Sequence, residues 1–380
     1  MLKHLLLLFS LSLWMHAAFA QTKSLPFTLE GTINTDSGTV ELAPIGSPAY
    51  YPFRNPPLKA AVEKGKFLIK GFVLYPLAYR ILLDKRGELV YLSDFFLIDP
   101  GFQTIRCNVD SLRESPLLVN FSRQESKDYN EQILAPVNYA IDQTSENQDR
   151  LRTKYGDSIP DSFRVSYENK YQTLQREKNT GLLRYTISHP GSYVALWELI
   201  KYFQSRYEPM LDSVYLHFSD SIKSSFTGKV LAEKLNGART TAIGKSFPGL
   251  SVLSPKSESM NVPVIDKSDK YILIDFWFSH CGPCISQFEV LKELFTAYHE
   301  KGFDIQGVST DDEKQLANWK TVIQKYRLPW KQFRDAGGKE TDKLGIAEFP
   351  TNFLLDANGK IIARDLAPVQ LKSFLEKNLL

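Results

Sequence analysis

The 380-residue sequence is poor in cysteine and histidine, with three of the former and six of the latter. Three cysteines are too few for the disulfide framework that holds small exported domains together. An excess of basic charge is also lacking, since 46 Lys and Arg stand against 43 Asp and Glu. Without a basic run or stripe that could neutralise phosphates, we expect no nucleic-acid partner.

After the N-terminal stretch the sequence lacks long apolar runs, since no later segment has 18 consecutive apolar residues. The N-terminus has Lys3, an apolar stretch over residues 5–13 and the sequence Ala18-Phe19-Ala20, which is typical of a cleavable secretory signal. We therefore predict a signal peptide over residues 1–20 and a periplasmic mature protein that is not integral to the membrane. An uncleaved N-terminal anchor is the alternative.

The chain is long enough for two or three domains, and 43% of its residues are apolar. Short alternating runs broken by Gly, Pro and Asn predict an all-β domain over residues 21–118, an antiparallel sandwich or barrel. Its Cys107 is expected to be buried and unreactive. Apolar residues three and four apart then predict a helical region of four to six helices over residues 119–240.

Residues 243–380 alternate between predicted strands and helices. YILIDFWF is a buried strand, and CGPCISQFEVLKELFTAYHEKG is a helix. A second strand and helix, a hairpin and a last helix follow. This order predicts an α/β domain, a central mixed sheet with helices on both faces.

The stretch WFSHCGPC, residues 277–284, contains the other two cysteines. A zinc site would need two more ligands at suitable spacing, and a disulfide that closes so short a loop removes little chain entropy. Cys281 falls where the strand ends and the helix begins, so backbone N–H groups and the helix dipole favour its thiolate. We therefore predict that Cys281 and Cys284 form a redox-active disulfide, with no metal and no cofactor.

The segment LIDFWFSHCGPC resembles the active-site stretch of thioredoxin, and GIAEFPTNFLLDANGKIIARDL resembles the cis-proline segment and hairpin of that family. The segment FDIQGVSTDDEKQLANWKTVIQKYRLPW is similar to the extra strand and helix of exported reductases of the TlpA/ResA type. The region upstream resembles the N-terminal domain of uncertain function that precedes such modules. The resemblance implies a thioredoxin-like fold over residues 243–380 and thiol-disulfide oxidoreductase activity.

Carried onto this sequence, the resemblance implies that Cys281 attacks, Cys284 resolves, Pro350 is the cis-proline that faces them, and Asp275 is the buried acid that accepts a proton from Cys284. Substrate contacts are expected at Trp277, His280, Gly282, Pro283 and Phe349, although core packing is the simplest interpretation of Trp277. Two positions depart from the family. His280 replaces the usual tryptophan before the first cysteine, and Gln287 stands where the TlpA/ResA type often has Glu.

The Gly-Pro pair between the cysteines resembles the reducing members of the superfamily. We therefore predict a reductase of protein disulfides that receives electrons from a membrane thiol donor. One alternative is a thiol peroxidase of the peroxiredoxin type, which VSTDD would fit, although Phe278 stands where such an enzyme needs Thr. A binding module that the redox pair merely switches is the other alternative.

Overall fold

The structure, a computed structural model, describes residues 24–53, 57–110, 117–156, 161–205, 207–346 and 348–379. The predicted signal peptide, residues 1–20, lies outside these ranges. None of the helices within them is both long enough and apolar enough to cross a membrane.

Strands make up the first part of the described chain, in two sheets of order β4-β1-β8-β9 and β3-β2-β5-β6, with β7 beside β5. The strands are β1 Leu25–Ile33, β2 Thr39–Pro44, β3 Lys59–Ala61, β4 Lys66–Val73, β5 Leu77–Lys85, β6 Glu88–Leu92, β7 Phe96–Ile98, β8 Gly101–Cys107 and β9 Leu117–Val119. The prediction of purely antiparallel pairing is wrong for β1 and β8, which run parallel with Phe27 opposite Gly101. A tight hairpin turn would make two strands antiparallel, but β1 and β8 are separated in the chain by the strands β2 to β7. The long connection allows them to pair in parallel.

Helices follow the strands as predicted, although the described residues contain more of them than the four to six expected. They are α1 Arg123–Tyr129, α2 Ala135–Tyr155, α3 Asp161–Ser188, α4 Tyr193–Ser205, α5 Pro209–His217, α6 Asp220–Ser224 and α7 Phe226–Thr240. A π-helical turn joins α1 to α2. The short α6 is separate from α7 because Ser219 and Ser225 each cap a new helix with the side-chain oxygen.

The strands and these helices share one continuous cluster of buried side chains. Trp197 of α4 is fully buried, and its indole N–H donates to the carbonyl oxygen of Pro76 at 3.2 Å. The hydroxyl of Thr227 in α7 donates to the carbonyl oxygen of Tyr50 at 2.7 Å. The regions that the sequence presents as two successive domains therefore pack as one unit, in which the sheets cover the apolar faces of the helices.

The last part of the chain is a mixed sheet of order β11-β10-β14-β13-β12-β15-β16 with helices against it, which confirms the predicted α/β fold. The strands are β10 Leu250–Leu253, β11 Ser259–Val262, β12 Tyr271–Trp277, β13 Phe303–Ser309, β14 Lys331–Arg334, β15 Thr351–Asp356 and β16 Ile361–Arg364. The helices are α8 Gly282–Tyr298, α9 Leu316–Tyr326, α10 Lys339–Lys343 and α11 Pro368–Asn378. The central strand β12 is parallel to β13 and antiparallel to β15.

The two halves of the chain meet where α7 packs against α10 and the turn that follows it. The ammonium of Lys234, which is almost buried, forms an ion pair with Asp342. A methyl group on Gly237 would overlap the carbonyl oxygen of Lys343, so the helix approaches this turn backbone to backbone. The turn leads into the segment that contains Pro350.

Candidate redox site

Cys281 and Cys284 are joined by a disulfide at the N-terminus of α8, with their Cα atoms 5.3 Å apart. Cys281 is the N-cap residue in an extended conformation, and its Sγ accepts a hydrogen bond from the backbone N–H of Cys284 at 3.1 Å. Pro283 fits the first helical turn because no acceptor exists there for the N–H it lacks. The sulfur that the sequence places at the helix terminus therefore receives one of the helix's unpaired donors.

Asp275 lies on the same face of β12 as the cysteines. Leu273 and Trp277 belong to the buried cluster that contains both cysteines, whereas Ile274 and Phe276 belong to the cluster on the opposite face. Because successive side chains of a strand alternate between faces, Asp275 points toward the dithiol side of the sheet. Burial raises the pKa of its carboxyl from 3.8 to about 7. An acid with this pKa can exchange a proton at neutral pH.

Pro350 follows a cis peptide bond and directly precedes β15. The register of β12 with β15 places Phe276 opposite Thr351, so the Phe349–Pro350 bond lies beside the end of β12. The active-site loop is residues 278–281, between β12 and α8. The ring of Phe349 packs edge-to-face against Phe278 of this loop, with ring centroids 5.4 Å apart. Both Phe349 and Pro350 are half-buried, at the rim of the redox site.

The five predicted substrate contacts divide into a buried one and four at the surface. His280, Gly282 and Pro283 are exposed, and Phe349 is half-buried. Trp277 is 0% exposed, and its indole N–H donates to the side-chain oxygen of Gln332 at 3.2 Å. The prediction of a substrate contact at Trp277 is wrong, because α8 covers this side chain: its ring packs edge-to-face against Phe288, with ring centroids 5.3 Å apart.

A buried acid that the sequence reasoning missed, Asp311, holds the active-site loop. Its carboxylate accepts the backbone N–H of Ser279 at 2.8 Å and the hydroxyl of the same residue at 2.7 Å. The N–H of Thr310 also donates to the carbonyl oxygen of Trp277 at 3.0 Å. A signal was present in the sequence, since Asp311 comes just after β13 as Ser279 comes just after β12, and parallel neighbours end at the same edge of a sheet.

Cys107 is buried in β8, as predicted, and burial raises the pKa of its thiol to about 12. It therefore remains protonated at neutral pH and is a poor nucleophile. Within the described ranges, no group of three or more His, Cys, Asp or Glu side chains could hold a metal ion.

Comparison with known proteins matches the C-terminal part of the chain. The family model described as Redoxin matches residues 242–378. The thiol-disulfide oxidoreductase ResA of Bacillus thuringiensis is 31% identical over 137 residues, which are 36% of this chain and 76% of that protein. ResA of Bacillus anthracis is 30% identical over 138 residues, which are 36% of this chain and 78% of that protein.

Among solved structures, the thioredoxin domain of a thiol-disulfide oxidoreductase from Bacteroides vulgatus is 32% identical, with a TM-score of 0.33. The match covers 37% of this chain and 99% of that domain. The two ResA proteins are matched over more than three quarters of their length, at 30% identity or above. The residues that match the Redoxin model include both active-site cysteines, Asp275 and Pro350. Through its C-terminal domain, the chain belongs to the thioredoxin superfamily, as a relative of the thiol-disulfide oxidoreductases of the ResA and TlpA type.

Proposed function

We propose that the protein reduces disulfides in protein substrates in the periplasm, through Cys281 and Cys284. The observation that carries the proposal is the disulfide at the N-terminus of α8 with Asp275 on the same side of the sheet. The arrangement supplies an attacking sulfur, a second sulfur to resolve the intermediate, and an acid whose pKa of about 7 suits proton transfer at neutral pH.

The first step is attack of the Cys281 thiolate on one sulfur of the substrate disulfide. A bond forms between Cys281 and that sulfur, the substrate S–S bond breaks, and the other substrate sulfur leaves as a thiolate that takes a proton from water. The N-terminus of α8 favours the attacking thiolate, because the helix dipole stabilises an anion there and the backbone N–H of Cys284 donates to the sulfur of Cys281.

In the second step Cys284 releases the substrate. Its thiol gives a proton to the Asp275 carboxylate, and the thiolate that forms attacks the sulfur of Cys281. The mixed disulfide breaks, the second substrate sulfur leaves as a thiolate that takes a proton from water, and the Cys281–Cys284 disulfide forms. Asp275 then gives its proton to water, which restores the carboxylate. Two electrons have then passed from the protein dithiol to the substrate.

The substrate chain would approach over the rim formed by Phe278, His280, Pro283 and Phe349. Cys281 is only 3% exposed in the disulfide form, so an incoming disulfide must contact these neighbours to reach its sulfur. The half-buried rings of Phe278 and Phe349 offer apolar surface to the residues that flank a substrate cysteine.

The Gly-Pro pair between the cysteines supports the reducing direction, and the signal-like N-terminal sequence supports a periplasmic location. A reductant in an oxidising compartment consumes its dithiol, so a membrane thiol donor must return two electrons in each cycle. A redox titration should give a potential nearer to about −270 mV than to about −120 mV, the values of reducing and strongly oxidising relatives. A potential close to the second value would reverse the proposed direction.

Peroxidase activity fits the site less well. A peroxidatic cysteine needs a nearby hydroxyl and an activating arginine, and the third residue before Cys281 is Phe278. Arg334 ends β14, which pairs with β13. It is 1% exposed, and its guanidinium is already engaged: it donates to the carbonyl oxygen of Asp311 and pairs with Glu313 at 2.6 Å. The pure reduced protein should consume hydrogen peroxide no faster than a free thiol does.

The proposal is tested by trapping substrates. The variant Cys284→Ala can form the mixed disulfide on Cys281 but cannot resolve it, so covalent adducts should accumulate and be released by dithiothreitol. Mass spectrometry of the captured proteins identifies the substrates. The matched control is the double variant Cys281→Ala/Cys284→Ala, which retains Cys107. Equal capture by the control, or adducts on Cys107, would contradict the roles assigned to the pair.

A further inference from the structure

The hydroxyl of Ser279 lies between a buried acid and an exposed imidazole. Its Oγ is 2.7 Å from Oδ1 of Asp311 and 3.1 Å from Nδ1 of His280. Asp311 is 0% exposed and Ser279 is 6% exposed, whereas His280 lies at the surface beside Cys281. A line of polar contacts therefore runs from the interior to the residue that precedes Cys281 in the sequence.

The carboxyl of Asp311 is the acceptor at the inner end of this line. Its Oδ2 accepts the N–H of Ser279 at 2.8 Å and the hydroxyl of Ser309 at 2.5 Å. Ser309 has no other hydrogen to give, and its own oxygen accepts the N–H of Asp311 at 3.1 Å. With Oδ2 occupied in this way, Oδ1 is the oxygen that faces the Ser279 hydroxyl.

The position of one hydrogen on His280 follows. A serine hydroxyl has a single hydrogen, and that of Ser279 is donated to Asp311. The contact between Ser279 Oγ and His280 Nδ1 must then be donated by the imidazole, so Nδ1 carries a hydrogen. The other ring nitrogen, Nε2, lies 3.4 Å from the side-chain amide nitrogen of Asn318, which can donate to it.

We propose that Asp311 and Ser279 are positioning residues that hold His280 as its Nδ1–H tautomer, so that Nε2 is the nitrogen that gains and loses a proton at the rim of the redox site. This inference rests on the proposed function for its catalytic meaning. When Nε2 is protonated, Asn318 can turn its amide oxygen toward it, and the ring becomes a cation beside Cys281. A neighbouring imidazolium favours the thiolate that attacks the substrate.

The line of contacts from Asp311 through Ser279 to His280 forms a relay. Its inner part, Asp311 and Ser279, is held by several hydrogen bonds, as a positioning role requires. Three donors converge on the Asp311 carboxylate, and the guanidinium of Arg334 donates to its backbone carbonyl at 3.3 Å. Ser279 is fixed by its N–H as well as by its hydroxyl. Rotation of the Ser279 hydroxyl toward His280 would break its bond to the buried carboxylate.

Nuclear magnetic resonance of ¹⁵N-labelled histidine tests the tautomer directly, with the reduced protein at pH 8 and the His280 signals assigned by their loss in His280→Gln. Wild type should show hydrogen on Nδ1. Ser279→Ala and Asp311→Asn should shift the ring to the Nε2–H tautomer that histidine favours in water, whereas Ser279→Thr, which keeps a hydroxyl, should retain Nδ1–H. An Nε2–H tautomer in wild type, or an unchanged one in Ser279→Ala, would refute the relay.

Alkylation of Cys281 tests the effect on reactivity, in a Cys284→Ala background at pH 6.5. Ser279→Ala should slow the reaction with iodoacetamide by roughly five- to tenfold, as expected for loss of a well-placed cation. His280→Gln should do the same, and the double variant should be no slower than His280→Gln alone, since both changes remove one effect. Ser373→Ala, an exposed serine on α11, is the control. Additive losses would mean that Ser279 acts without His280.

The two proposals fail separately. If wild type shows the Nδ1–H tautomer but does not reduce insulin, the relay stands and the proposed function is wrong. If wild type reduces insulin while Ser279→Ala changes neither the tautomer nor the alkylation rate, the reductase stands and the relay is wrong.

Discussion

Replacement of Asp275 by asparagine removes the buried acid while nearly preserving its shape, and its effect on stability should depend on pH. In the folded protein burial raises the pKa of this carboxyl from 3.8 to about 7. Between these two values the folded state binds more protons at this site than the unfolded chain does. Wild type therefore loses stability as the pH rises from about 4 to about 7, and the loss is constant at higher pH.

The size of the effect follows from the shift. A difference of about three pKa units corresponds to about 4 kcal/mol, since one unit is about 1.4 kcal/mol. Asparagine has no charge at any of these pH values. The free energy of unfolding of Asp275→Asn, relative to wild type, should therefore increase by about 4 kcal/mol between pH 4 and pH 8.

Urea unfolding of the oxidised protein measures this difference, with tryptophan fluorescence as the signal because Trp277, Trp319 and Trp330 all lie in the C-terminal domain. The control is Glu293→Gln, which removes an exposed carboxylate from α8 without changing the core. A difference between Asp275→Asn and wild type that does not change with pH, or that falls as the pH rises, would refute the account of the buried acid.

The same substitution should weaken the enzyme. Because the asparagine side chain could not accept the proton of Cys284, resolution of the mixed disulfide should slow by about 100-fold, the lower range for loss of a general base. Attack by Cys281 should be almost unchanged. Stopped-flow measurement of the two steps with a peptide disulfide separates them, and an equal loss in both would contradict a role for Asp275 in resolution alone.

Three further predictions concern the rest of the structure. Gly237→Ala should lower the free energy of unfolding by about 1–3 kcal/mol, because its methyl group would overlap backbone in the turn after α10, whereas Gly249→Ala, which meets no atom within 4 Å, should not. Trp277→Phe should lower the free energy of unfolding in urea by about 2 kcal/mol, because the side-chain oxygen of Gln332 loses its donor. The KM for a peptide disulfide should not change, and a raised KM would mean that Trp277 does contact the substrate. Cys107 should resist iodoacetamide at pH 8 until the reduced protein is unfolded, as counted by mass spectrometry, and labelling in the native protein would contradict its burial.

Much of the C-terminal domain could be predicted from the sequence because its signals are local. The short apolar run before Cys281 predicts a buried strand, and CGPC at its end marks the start of a helix. The hairpin over residues 250–262 was not predicted, because the Gly, Pro and Ser residues around it are typical of a linker. In the structure β10 pairs with β11 and, at one position, with β14, which adds the hairpin to the sheet.

Other features depend on contacts that are distant in the sequence. The common core between residues 27 and 238 could not be predicted, because contacts such as that of Trp197 with Pro76 join residues 121 positions apart in the sequence. Core packing was the simplest interpretation of Trp277 from the sequence, and the structure places this side chain in the core, on the same face of β12 as Leu273 and Asp275. The pairing of Ser279 with Asp311 follows only once β12 and β13 are known to be parallel neighbours, and the equal distance of the two residues from the ends of these strands is the sequence signal for it.

If Cys281 and Cys284 carry the activity, insulin reduction in the presence of dithiothreitol must depend on them. Wild type should accelerate the precipitation of the insulin B chain, and Cys281→Ser should fall to the rate of dithiothreitol alone while remaining folded by circular dichroism. Cys107→Ser should keep the full rate. Insulin reduction that survives in Cys281→Ser would contradict the account.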